Sequence, residues 1–153
     1  MPREFGEHGI ELPGSRALLE SISAEGVPFA IVQCSTKPLA QGWLDMKKLP
    51  YPNEYVTAED VQALKPDPRG YILAPKKLEL KHDVQCIVLD DALIGVKAGK
   101  AAGHRALALA TTTKVEKLRA AGADWIVEDS RSVRLKEWDR EKGVVSIEIS
   151  GLL

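Results

Sequence analysis

The chain has 153 residues, 44% hydrophobic and 28% charged, which excludes a disordered tail, a collagen-like repeat and a disulfide-knotted scaffold. A domain of this length buries about 70% of the surface its unfolded chain exposes, so a real core is available. Lysine plus arginine total 21 against 22 acidic residues, and a net charge of −1 leaves no basic surplus to hold nucleic acid.

No apolar run approaches the ~20 residues that span a bilayer, so no membrane partner is expected. The opening MPREFGEHGIELPG is charged and is not a secretory signal. Two cysteines, Cys34 and Cys86, are too few for a disulfide framework, and a cytoplasmic, reducing location is the expectation.

Residues 1–12 show no period and read as a loose lead-in to one domain over 13–153. A helix is predicted over 15–25, with Ser15 as its cap, Leu18, Leu19 and Ile22 on one face, and Gly26 as its stop. Val27–Val32 is almost wholly apolar and suits a parallel strand covered on both faces. A helix follows over Pro38–Met46, then a short strand at Tyr55–Thr57 and a helical turn at Ala58–Gln62. Pro68 to about Glu79 reads as a helix, with Pro75 inside it at a cost of about 3 kcal/mol. Gln85–Leu89 is the clearest strand. Helices at Ile94–Ala102 and Lys114–Ala121 then alternate with strands at Arg105–Leu109 and Trp125–Val127. Strands alternating with helices mean βαβ units and a doubly wound, Rossmann-like, mainly parallel sheet. Arg134–Trp138 and Val144–Ile149 flank a polar loop and read as a closing hairpin.

In such sheets ligands bind beyond the carboxyl ends of the strands. Four clusters fall there: Gln33-Cys34-Ser35-Thr36, Lys65-Pro66-Asp67-Pro68, Asp90-Asp91 and Thr111-Thr112-Thr113. Carboxylates suit a hard divalent cation, a lysine supplies charge to phosphate, and hydroxyls complete an anion cradle. The structural alternatives are helix capping for the aspartates, threonines and Ser35–Thr36, and a solvated loop for Lys65. His8, His82 and His104 have no metal-ligand spacing; His82 reads as a loop residue and His104 as a structural one. Cys34 at a strand end is a conceivable thiolate nucleophile, with no histidine near it in sequence.

Ile87–Gly103 (IVLDDALIGVKAGKAAG) resembles the metal-binding acidic motif, and the helix behind it, of the haloacid dehalogenase-like hydrolase superfamily. Leu64–Pro68 resembles that family's lysine motif. Phe29–Ser35 stands where a strand ends on a phosphate-binding hydroxyl, and Pro13–Arg16 resembles the re-entry from the cap domain. With Ala123–Val127 and the hairpin, the likeness covers about residues 12–149 and is nearest in kind to fungal-type glycerol-phosphate and deoxysugar-phosphate phosphatases.

The resemblance implies a truncated hydrolase core. Lys65 would be the catalytic charge-neutralising group and would bind phosphate together with Gln33, Cys34 and Ser35. Asp90 and Asp91 would hold magnesium, weakly because the usual sharing aspartates are missing. The substrate class implied is a small phosphorylated metabolite. The family's nucleophile and acid–base aspartates lie on a first strand, ahead of the cap, in an Asp-x-Asp motif that this sequence does not contain. Gln33 replaces a hydroxyl residue, Leu64 a glycine and Asp90 a glutamate. The expectation is a catalytically impaired relative. The alternative is an active magnesium-dependent phosphatase whose nucleophile segment is supplied outside this chain.

Without a central nucleophile strand, the strands at Phe29–Val32 and Gln85–Leu89 would keep unpaired backbone edges. Direct pairing of the two, which would set Gln33 beside Asp90, is the expected response; the alternatives are the lead-in folding back with Gly9–Leu12 as a substitute strand, and self-association that recruits a strand from another molecule.

Overall fold

The computed structural model describes residues 9–153. In chain order the elements are α1 (Ser15–Glu25), β1 (Ala30–Val32), α2 (Lys37–Lys47), β2 (Glu54–Val56), α3 (Arg69–Lys77), β3 (Ile87–Asp90), α4 (Leu93–Ala101), β4 (Arg105–Leu109), α5 (Val115–Ala120) and β5 (Trp125–Val127). A 3₁₀ turn at Ser130–Ser132 leads into the hairpin β6 (Val133–Asp139) and β7 (Val144–Ile149).

β4 is the centre of the larger sheet, with β3 and β5 parallel on either side. Its alternation sends side chains to opposite faces. Leu107 and Leu109 join Leu18 of α1, Val127 and Val133 in one core, against which Ile147 and Ile149 of the hairpin also pack. Ala106 and Ala108 face Val96 of α4 and Leu118 of α5 in a second. Small residues on that face let the two helices lie close to the strand. The hairpin runs antiparallel, with its register shifted between Leu135 and Glu137. The doubly wound α/β reading and the closing hairpin therefore hold.

β1 and β2 form a separate parallel pair. Its apolar side, Ile31 and Tyr55, packs on Ala40 and Leu44 of α2. Helix α3 joins the two sheets. A Cβ at Gly70 would sit 3.0 Å from Val32, and the next residue, Tyr71, packs with Val88 of β3 and Ala98 of α4.

Several expectations give way here. β1 and β3 do not pair: β1 bonds to β2 and β3 to β4, and among the described residues no strand lies between them. The reason is α3, which packs on Val32 and Val88 together. Ala30, Ile31 and Val32 of β1 are all half-buried, so the strand expected over Val27–Val32 is not covered on both faces. Ala58–Gln62 is a turn without helix, because the Asp60 carboxylate accepts from Thr57 N–H and Oγ at 2.8 and 3.0 Å and closes the chain locally. Ser15 does not cap α1. Gly14 takes that place at φ 82°, where an added Cβ would overlap the backbone of Ser130 and Arg131. Of the lead-in, residues 1–8 lie outside the described residues. Gly9–Leu12 forms neither strand nor helix and is tied by Lys47 Nζ to Gly9 O at 2.6 Å and by an Arg16–Glu11 ion pair. Among the described residues no helix is long and apolar enough to cross a membrane.

Candidate phosphate and metal site

The carboxyl ends of β1, β3 and β4 deliver three of the four clusters, and the turn before α3 delivers the fourth. Asp90 closes β3 and is the hub. Its Oδ2 accepts from Lys65 Nζ at 2.7 Å and from the Tyr71 hydroxyl at 2.7 Å. Its Oδ1 accepts from the Ala92 N–H at 3.0 Å. The Lys65 and Asp90 side chains are 14% and 10% exposed, so the ion pair is shielded from solvent and depends on this full set of partners. The carboxylate also leans on bare backbone, since a methyl group on Gly95 would overlap it.

Tyr71 supports the cluster from below. Its ring centroid is 4.9 Å from Lys65 Nζ. Burial, and then the Asp90 charge, push its phenol far above the usual value, so the hydroxyl stays a donor to that carboxylate. Cys34 adds the smallest push in the same direction.

Asp91 turns to β4 instead. Its Oδ2 takes the Thr112 hydroxyl at 3.1 Å and the Thr111 hydroxyl at 3.3 Å. Thr112 Oγ also lies 3.2 Å from the Asp91 main-chain oxygen. Neither α4 nor α5 is capped by its N-cap side chain, and Asp91, Thr111 and Thr112 bond to one another instead, while Asp90 alone reaches the start of α4, at the Ala92 N–H. At α2, likewise, Thr36 is the cap residue without a side-chain bond and Ser35 Oγ donates to Gln33 Oε1 at 2.7 Å. The structure thus brings Lys65 and Asp90 into contact and sets Asp91 beside them in sequence. Gln33 and Ser35 bond to each other, and among the described residues no hydrogen bond joins them to Lys65 or Asp90. Cys34 is exposed.

Asp91 and the two threonine hydroxyls are hard oxygen donors of the kind magnesium takes. The oxygens of Asp90 are already committed to Lys65, Tyr71 and a main-chain N–H. Among the described residues no group of three or more His, Cys, Asp or Glu gathers to hold a metal. The set fits an ion held by few protein ligands and otherwise by water and phosphate.

Tyr71 and Gly95 are the residues that reading the sequence misses. An aromatic on the apolar face of a helix reads as core, which Tyr71 also is. Nothing local shows that its hydroxyl reaches a strand 19 residues on. His82 is exposed in a loop, as expected. His104 is buried, with Nε2 3.0 Å from the Tyr71 carbonyl.

A family model described as haloacid dehalogenase-like hydrolase matches residues 3–103. Glycerol-1-phosphate phosphohydrolase 1 of Saccharomyces cerevisiae is 32% identical over 154 residues, covering 96% of this chain and 62% of the yeast protein. 2-Deoxyglucose-6-phosphate phosphatase 2 of the same yeast is 33% identical over 150 residues, covering 88% of this chain and 61% of that one. A hydrolase from Pseudomonas syringae superposes with a TM-score of 0.75 at 28% identity, over 84% of this chain and 60% of the other. The chain therefore spans about three fifths of the length of these relatives. With the acidic and lysine motifs joined in space at Asp90 and Lys65, and with the family model covering residues 3–103, the chain belongs to the haloacid dehalogenase-like hydrolases.

Proposed function

We propose that this chain binds the phosphate group of a small sugar or polyol phosphate and, by itself, turns it over poorly or not at all. The observation that carries the reading is the shielded Lys65–Asp90 pair, set next to Asp91 at the carboxyl end of β3. Lys65 has three donors and gives one to Asp90, which leaves N–H groups for phosphate oxygens. Gln33, Cys34 and Ser35, at the end of β1, are the further phosphate ligands of this reading. Asp91 is the carboxylate that takes magnesium, aided by Thr111 and Thr112; when bound, the ion neutralises charge on the phosphoryl group. Phosphatase relatives from yeast support the substrate class.

Turnover needs a nucleophile and an acid–base partner. The sequence holds no Asp-x-Asp pair, and the side chains at the end of β1 are an amide, a thiol and a hydroxyl. The second reading is an active phosphatase whose nucleophilic carboxylate comes from outside this chain. It is favoured by the edges of β1 and β3 that carry no further strand among the described residues and by the three-fifths coverage of the relatives.

The test is turnover of p-nitrophenyl phosphate with magnesium, alongside calorimetry with inorganic phosphate. Phosphate binding without turnover above background is expected, and Asp91→Asn should leave that background rate unchanged. Activity that vanishes with Asp91→Asn would sink the impaired-enzyme reading and direct the search for a nucleophile to Cys34. No binding of phosphate at all would sink the phosphate-site reading.

A further inference from the structure

Lysine has four rotatable side-chain bonds and about 2 kcal/mol of rotamer entropy to lose before its ammonium holds one place. Lys65 sits in a turn that the Asp67 N–H closes onto the Leu64 carbonyl at 3.0 Å, which holds its backbone and leaves the four side-chain bonds to be fixed by other contacts. Two contacts fix the ammonium. One is Asp90 Oδ2 at 2.7 Å; the other is the face of Tyr71, 4.9 Å from its centroid. The same Tyr71 also donates its hydroxyl to the same oxygen, Asp90 Oδ2, at 2.7 Å. One side chain therefore contributes both the floor under the ammonium and a hydrogen bond that holds the counter-charge in register.

Tyr71 is itself held by its surroundings. It is 8% exposed, its carbonyl is held by His104, and the adjoining Gly70 lies on Val32. Among the described residues Asp90 is the one hydrogen-bond partner of Lys65 Nζ, so the remaining donors point where this fixed geometry sends them.

We propose that Tyr71 is the positioning residue of this site: through its ring and its hydroxyl it sets where the Lys65 ammonium stands and so how tightly phosphate is held. The proposal rests on the reading of Lys65 as a phosphate ligand. The hydroxyl and the ring make separable contributions. Removing the hydroxyl leaves Asp90 Oδ2 with one partner fewer, and the carboxylate turns with Lys65 following it. Removing the ring as well takes away the surface on which the ammonium rests.

The experiment compares wild type, Tyr71→Phe, Tyr71→Leu and Lys65→Met by NMR and by calorimetry with inorganic phosphate. In wild type the Lys65 ε-methylene protons should be shifted upfield by the Tyr71 ring current. Tyr71→Phe keeps a ring, yet this shift should fall toward that of an exposed lysine, and phosphate binding should weaken about fivefold, the size of one hydrogen bond. Tyr71→Leu should lose the ring-current shift and bind phosphate no better than Lys65→Met. A Tyr71→Phe protein that keeps both the Lys65 shift and the phosphate affinity overturns the proposal, whether or not Tyr71→Leu folds. If wild type binds no phosphate, the functional reading fails, and the Lys65 shift in Tyr71→Phe still decides the positioning role.

Discussion

The Tyr71 carbonyl would ordinarily accept from the N–H four residues on, and that residue is Pro75, which has none. His104 Nε2, from the start of β4, donates to that carbonyl at 3.0 Å and replaces the missing bond. The proline that reads in sequence as a flaw is thus matched by a buried histidine 29 positions later. His104→Leu should cost about 1–3 kcal/mol, the usual penalty for leaving a buried polar group unpaired. In a Pro75→Ala background, where an N–H is restored, the same change should cost clearly less. Urea unfolding of the four proteins measures this; equal costs in both backgrounds would refute the pairing. Gly95 poses an opposite case. Gly→Ala in a helix normally gains up to about 1 kcal/mol. Here the methyl would overlap the Asp90 carboxylate, so Gly95→Ala should instead lose about 1–3 kcal/mol and weaken phosphate binding. A stabilised Gly95→Ala variant would contradict the packing argument.

Among the elements, α4, β4 and β5 are tied by one side chain. Asp124, just ahead of β5, accepts from Lys100 of α4 at 2.8 Å, from the Ala106 N–H of β4 at 2.7 Å and from Arg105 at 3.4 Å. Arg105 also lies 5.1 Å from the centre of the Trp125 ring. Burial works against the Asp124 charge, but the Lys100 and Ala106 hydrogen bonds, with the charges of Lys100 and Arg105, hold its pKa below the ordinary 3.8. A carboxylate with a depressed folded-state pKa stabilises fully above its unfolded value and loses that contribution as pH falls through the folded one. Asp124→Asn should therefore destabilise the protein by about 1–2 kcal/mol at neutral pH, and the gap to wild type should close below pH 3.8. Denaturant midpoints of both proteins across that range check it. A gap that is constant with pH would mean that the side chain acts by shape alone.

For the molecule as a whole, the division into a two-stranded and a three-stranded parallel sheet sets an order of stability. β4 is bonded on both sides and sits between two cores, with Leu107 fully buried. Among the described residues β1 has one neighbouring strand, and its three residues are half-buried. Amide hydrogen exchange should be slowest in Ala106–Leu109 and faster by orders of magnitude in Ala30–Val32, since local openings there break few contacts. If protection of β1 equals that of β4, and falls on dilution, the bare edge is covered by a second copy in solution.

Local pattern was sufficient for much of this molecule. The apolar runs at Ile87–Leu89, Arg105–Leu109 and Trp125–Val127, with glycines behind the helices, carry their own period and stops, and the elements formed there within about two residues. The acidic motif was legible because charged residues placed just after such a run must lie at one end of a parallel sheet, whereas the lysine motif, ahead of α3, was legible only through the resemblance of Leu64–Pro68 to a family pattern. Three things were decided only in three dimensions. The Tyr71 hydroxyl and the His104 imidazole act across 19 and 33 residues of chain, where no spacing rule reaches. Gly95 matters through the space it leaves for Asp90. The separation of β1 from β3 depends on α3 packing on both strands together. Sequence periodicity reports which face of an element is apolar; which neighbour covers that face, and which hydrogen bonds close over the gap, depend on long-range packing.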